Sequence, residues 1–113
     1  MLSTAELRNL SCLVTMAGEF DRSNVDALRA EIEWCLGSAS SVVFDFEKVT
    51  FVNGAVLSLL RDVLERVGED GWVGVARPRQ EILALFAVAG LSFLPNFRVF
   101  STLEEALEVI DQR

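Results

Sequence analysis

The segment Val49-Thr50-Phe51-Val52-Asn53-Gly54-Ala55-Val56-Leu57-Ser58-Leu59-Leu60 changes its pattern in the middle. Its first four residues are β-branched or aromatic and suit a strand. Asn53-Gly54 then forms a corner, Asn being suited to cap a helix start and Gly to relieve the backbone of a turn. Beyond it the apolar residues return at helical spacing. The helix is expected to bury Leu57, Leu60, Leu64 and Val67 and to leave Ser58, Arg61, Asp62 and Glu65 in water, ending between Gly68 and Gly71. Upstream, Ser41 to Phe46 is too short for an ordinary helix and apolar on both faces, as expected of a central parallel strand.

The alternation continues in both directions from this unit. Leu2 to Arg8 reads as a first edge strand and Ser11 to Ala17 as a second, with Asn9-Leu10 between them as a turn. Gly18 is expected to end that strand. Asp21 or Ser23 can cap a helix that points Val25, Leu28, Ile32 and Cys35 or Leu36 inward and closes at Gly37-Ser38. Trp72 to Ala76 is the next strand. Pro78 suits the first turn of a third helix with Ile82, Leu85, Phe86 and Ala89 as its stripe, stopped by Gly90. Arg98 to Phe100 is a short last strand, and Ser101-x-x-Glu104 reads as a capping box for a final helix with Leu103, Leu107 and Ile110 inward. Strands separated by helices of this length imply right-handed crossovers and a mostly parallel sheet, with the first strand or two added antiparallel. The expected fold class is α/β: one layered domain over residues 1–113, a mixed, mostly parallel sheet with packed helices.

Composition narrows the function. A chain of 113 residues can bury one core, and 51% hydrophobic residues set it apart from disordered sequences. No apolar run approaches the ~20 residues of a membrane span, so direct membrane insertion is not expected. Met1 to Glu6 lacks the basic and then apolar start of a secretion signal, which points to the cytoplasm. A net charge of −7, with ten Lys and Arg that form no stripe, disfavours nucleic acid and anionic lipid and favours protein partners with basic patches. The absence of His removes the commonest general base and metal ligand. The glycines are scattered and no phosphate-binding loop is present. No enzyme activity, cofactor or metal is therefore expected. Glu69-Asp70 and Glu104-Glu105 read as a solvated turn and a helix start. Cys12 and Cys35 read as small buried thiols, and Trp34 and Trp72 as partly buried core.

Five pieces of the chain, in order, resemble the signature of STAS domains, the family of bacterial anti-sigma factor antagonists. Gly18-Glu19-Phe20-Asp21 with Asn24 to Arg29 resembles the family's Gly-Glu-Leu-Asp turn into a first helix. Val42 to Val49 resembles its buried strand ending in Asp-Leu-x-x-Val. Asn53-Gly54-Ala55-Val56 stands where the family has Asp-Ser-Ser-Gly or Asp-Ser-Thr-Gly before a helix beginning Leu-x-x-Leu. Ala89-Gly90-Leu91, and then Phe97 to Leu107, resemble the Gly-Leu punctuation, last strand and closing helix.

The resemblance implies a STAS-type fold and a non-enzymatic regulator of sigma factors, and so of transcription. Its partner would be an anti-sigma factor of the switch-kinase class. The implied docking surface comprises Asp21, Ser23 and Asn24, the loop Asn53, Gly54, Ala55 and Val56, and Ser58, Arg61 and Asp62 on the second helix. In regulated members the kinase phosphorylates the first hydroxyl residue of the loop. Gly54 holds that position here and has no oxygen to receive phosphate, Ala55 lacks the second hydroxyl, and Asn53 lacks the carboxylate. Ser58, one turn on, is the nearest hydroxyl and reads as a solvated helix serine. The same departure fits an alternative, a STAS scaffold or assembly subunit of a stress-signalling or lipid-transport complex. A homo-oligomer is compatible with either.

Overall fold

The chain opens with an antiparallel hairpin, β1 (Leu2–Arg8) and β2 (Ser11–Phe20), in a computed structural model that describes residues 2–112. The two-residue connection has positive φ at both positions, 48° at Asn9 and 66° at Leu10. That is the pattern of a primed turn, whose twist matches that of the flanking strands. There follow α1 (Val25–Leu36), β3 (Ser41–Val52), α2 (Gly54–Val67), β4 (Trp72–Ala76), α3 (Gln80–Val88), a 3-10 turn (Leu91–Phe93), β5 (Phe97–Phe100) and α4 (Leu103–Asp111).

The sheet order is β1-β2-β3-β4-β5, with β2 through β5 parallel. Each crossover therefore steps one strand in the same direction, and crossovers of one hand place α1, α2 and α3 on the same face. The larger core lies there: Cys12, Val14, Val42, Phe44, Phe46, Val73, Val75 and Phe97 from the sheet meet Leu28 and Ile32, Leu59 and Leu60, and Ile82 and Phe86 from the helices. Phe86 sits 5.9 Å from the Phe46 ring and 5.5 Å from the Phe97 ring, centroid to centroid. Alternate residues of the same strands, Leu13, Val43, Trp72, Ala76 and Phe100, form a second core under Ala106 and Ile110 of α4. Gly74 lies in this layer because a Cβ there would stand 2.6 Å from the Phe100 ring and 2.9 Å from the Trp72 ring.

The elements expected from sequence are all present, with shifted edges. β2 does not stop at Gly18 but continues to Phe20, because Gly18 takes φ 97° at a register irregularity and the strand resumes beyond it. β3 runs past Phe46 to Val52, paired there with β2 alone, since β4 ends at the Asp45–Ala76 rung. The buried stripe of α2 is Val56, Leu59, Leu60, Val63 and Leu64, with Leu57 and Val67 only half-buried at its margins. Pro78 precedes α3 instead of opening it: Arg77 turns the chain with φ 48° and the helix begins at Gln80. The final cap lies one residue later than the Ser101-x-x-Glu104 pattern, with Thr102 Oγ1 accepting from the Glu105 N–H at 3.2 Å. Trp34 is 58% exposed on α1 and not part of the core, whereas Trp72 is buried with the Arg98 guanidinium 4.7 Å over its ring.

One charged group is nearly buried in the sheet. Asp45 accepts two hydrogen bonds from Arg77, Nε at 3.2 Å and Nη2 at 3.1 Å, and Arg77 also reaches Glu47 at 3.0 Å. Cys12 and Cys35 are both fully buried, and burial followed by the hydrogen bond to Cys35 pushes the Cys12 thiol well above its ordinary pKa. A thiol held protonated and out of water is inert.

Two outcomes are expected. A Cβ at Gly71 would press on the Ser40 carbonyl oxygen and stand 2.6 Å from the Val67 carbonyl oxygen, backbone that cannot move aside. Gly71→Ala should cost about 3 kcal/mol, read as a shift in the denaturant midpoint. Native protein should take up no iodoacetamide at Cys12 or Cys35 under conditions where the unfolded chain is alkylated at both, as intact mass would show.

Candidate functional site

The last rungs between β2 and β3 pair Glu19 with Phe51 and Phe20 with Val52. The two segments that follow, Asp21–Asn24 and Asn53–Val56, therefore leave the sheet side by side at the carboxyl ends of neighbouring parallel strands. In open α/β sheets that is where ligands and partners are met. The expected loop residues, Asp21, Ser23 and Asn24 with Asn53 to Val56, are thus brought to one end of the molecule by the register.

Asn53 builds the second corner. In extended backbone (φ −122°, ψ −171°) its side-chain Oδ1 accepts from the Ala55 N–H at 3.0 Å. Its carbonyl accepts from Val56 N at 3.1 Å and from Leu57 N at 3.4 Å. The amides of Ala55, Val56 and Leu57 are turned onto Asn53 itself, so most of this helix start is already bonded. Asn53 thus caps the helix as its residue type leads one to expect. Gly54 is exposed, has no positive φ, and would have nothing within 4 Å of an added Cβ.

The first corner is braced differently. Neither Asp21 nor Ser23 caps α1; Asn24 occupies the cap position and makes no side-chain cap bond. Instead the Asn24 side chain bridges backward, its Oδ1 accepting from Asp21 N at 2.9 Å and its Nδ2 donating to the Glu19 carbonyl at 2.9 Å. The Asp21 carboxylate accepts from the hydroxyl and the N–H of Ser23 at 2.5 and 2.8 Å. These bonds favour the ionised form and hold the Asp21 carboxyl below its ordinary pKa. The brace is complete above the ordinary carboxylate range and is lost only as pH falls through the lowered value.

Ser58, Arg61 and Asp62 lie exposed on α2. Asp62 reaches Arg29 of α1 at 3.2 Å, and Arg61 donates to the Ala89 carbonyl at 2.6 Å, fixing the C-terminal end of α3 against α2. Val56 differs from the rest of the set, for its side chain is buried in the core. The Arg77–Asp45 pair was not foreseen; the sequence signal that could have found it is a carboxylate in an otherwise apolar central strand, which demands a cationic partner. No helix among the described residues is long and apolar enough to cross a membrane.

The STAS domain family profile matches residues 3–106. Among solved structures, an anti-sigma factor antagonist from Mycobacterium paratuberculosis superposes with a TM-score of 0.81 at 24% identity, covering 97% of this chain and 93% of that one. The Bacillus cell fate determinant SpoIIAA in its phosphorylated form superposes with a TM-score of 0.76 at 20% identity, over 96% and 99% of the two chains. A STAS domain protein from Planctomyces limnophilus gives 0.83 at 16% identity, over 96% of each. No curated protein sequence matches the chain.

The corner itself can be tested before any partner is known. Asn53→Ala should cost about 1 kcal/mol of stability, whereas Asn53→Asp, an equally good cap, should cost nothing measurable in thermal melting.

Proposed function

The chain belongs to the STAS domain family, and on that footing we propose that it is a non-enzymatic regulator that binds an anti-sigma factor of the switch-kinase class and thereby frees a sigma factor. The observation that carries the reading is the pair of braced corners, Asp21–Asn24 and Asn53–Gly54, set side by side with the exposed face of α2. A rigid, mostly uncharged corner next to polar helix residues suits a protein surface, because little order has to be imposed on binding.

The corner Asn53-Gly54-Ala55-Val56 carries no hydroxyl, so the partner binds without marking it. Control then comes from expression, from a ligand or from competition among partners. Ser58 is exposed on the first turns of α2 and is the first hydroxyl that follows the corner in the chain.

Two measurements check this reading. Incubation with candidate switch kinases and ATP should leave the intact mass unchanged, and a phosphate on Ser58 would overturn binding without modification. Gly54→Glu places a charged side chain where the structure has free space, so melting should hold or rise by about 0.3 to 1 kcal/mol from the helix dipole. Affinity for a confirmed partner should fall by several kcal/mol, more than about a hundredfold. Unchanged affinity would put the contact elsewhere.

A further inference from the structure

The two edges of the sheet differ. β5 is only four residues long, whereas β1 offers seven, regularly paired with β2 at every position and free of Pro and Lys. Long, straight, unprotected edges are templates for another strand. The Asn9-Leu10 turn makes Arg8 and Ser11 the closing hydrogen-bonded pair, so the even residues of β1 bond to β2 and the main-chain groups of Ser3, Ala5 and Leu7 point off the sheet. Consistent with this, the Ala5 N–H is taken by Glu31 Oε1 of α1 at 3.2 Å, and not by β2.

An apolar patch adjoins this edge. Leu7 shares the face of Ala5 and is 44% exposed, and Leu10 in the turn is 59% exposed. As a crossover helix α1 runs opposite to β2, as β1 does, so α1 and β1 run the same way. From the Ala5–Glu31 contact, one helical turn leads to Trp34 and two strand residues lead to Leu7, displacements of about 4.5 and 6.6 Å in the same direction. Trp34 thus flanks the free edge with its ring 58% exposed.

We propose that this edge is a self-association surface whose occupant is β1 of a second copy, antiparallel about a two-fold axis at Leu7. Charge selects both occupant and register. With Leu7 opposite Leu7, Glu6 of each copy faces Arg8 of the other, giving two complementary cross-strand pairs. Centring on Glu6 opposes like charges, and centring on Ala5 needs an amide that Glu31 already holds and pairs no charges. The Leu7 register leaves the Ala5–Glu31 bond intact and brings the two Trp34 patches to the dimer axis. In this register residues 6–8 of each β1 face one another and join two five-stranded sheets into one of ten strands. Arg8 already meets Asp111 at 2.8 Å in an exposed pair, and Glu6 of the second copy joins that cluster.

Sedimentation equilibrium of the full chain from micromolar to millimolar concentration tests this, with circular dichroism melting to confirm that each variant folds. The average mass should climb from 12.5 kDa towards twice that value. Leu7→Glu should raise the dissociation constant at least about tenfold. Glu6→Arg and Arg8→Glu should each do the same, and the two together should restore dimerisation. A chain of unit mass throughout overturns the proposal and leaves the edge to a different polypeptide. A dimer unaffected by Leu7→Glu overturns it by locating the contact elsewhere, and a folded double swap that fails to restore dimerisation overturns the register.

Discussion

The handedness of the parallel crossover governs this molecule. Four parallel strands in strict chain order, each step of the same hand, leave no choice about where α1, α2 and α3 go, and they fill one face of the sheet. The other face must then be covered by whatever follows the last strand, which is α4 with Ala106 and Ile110 turned inward. The same step puts the ends of β2 and β3 next to each other, so residues 21 and 53, far apart in sequence, begin adjacent loops. The core and the two adjacent corners share one cause.

Against that background the Asp45–Arg77 pair acts as a tie between elements. A carboxylate left alone at that depth would be costly, and the bidentate guanidinium with its further link to Glu47 offsets that cost. Arg77 accepts a left-handed backbone to get there, and its N–H donates to the Phe100 carbonyl at 2.8 Å. The middle of β3 and the ends of β4 and β5 are fastened through one residue. Glycine would relax the backbone at position 77 but sever the ion pairs, so the strain and the tie are inseparable.

Much of this was legible in the sequence because it depends on local chemistry. Ser41 to Phe46 is apolar on both faces because the strand is sandwiched between two cores, and Asn53-Gly54 marks a helix start because Asn caps it. What was not legible depends on neighbours remote in sequence. The extension of β3 to Val52 is set by its pairing with β2, and the exposure of Trp34 is set by where the sheet ends. The cap of α4 shifted to Thr102 because Ser101 and Thr102 satisfy the same local rule, and the geometry after β5 decides between them. For the site, residue types named the corner, but only the register showed that the two loops are neighbours. Only coordinates showed that the Asn24 side chain turns back to Asp21 and Glu19 instead of capping α1.

The late position of α4 has a consequence for the order in which the fold can be completed on the ribosome. Until residues 103–111 emerge, Leu13, Val43, Trp72 and Phe100 form a continuous greasy floor with nothing over it. The three-helix side can already close, because all its members precede β5 or belong to it. Without α4 that side of the sheet, Trp72 and Phe100 included, would stand open to solvent, and its cover comes only with the last nine helical residues.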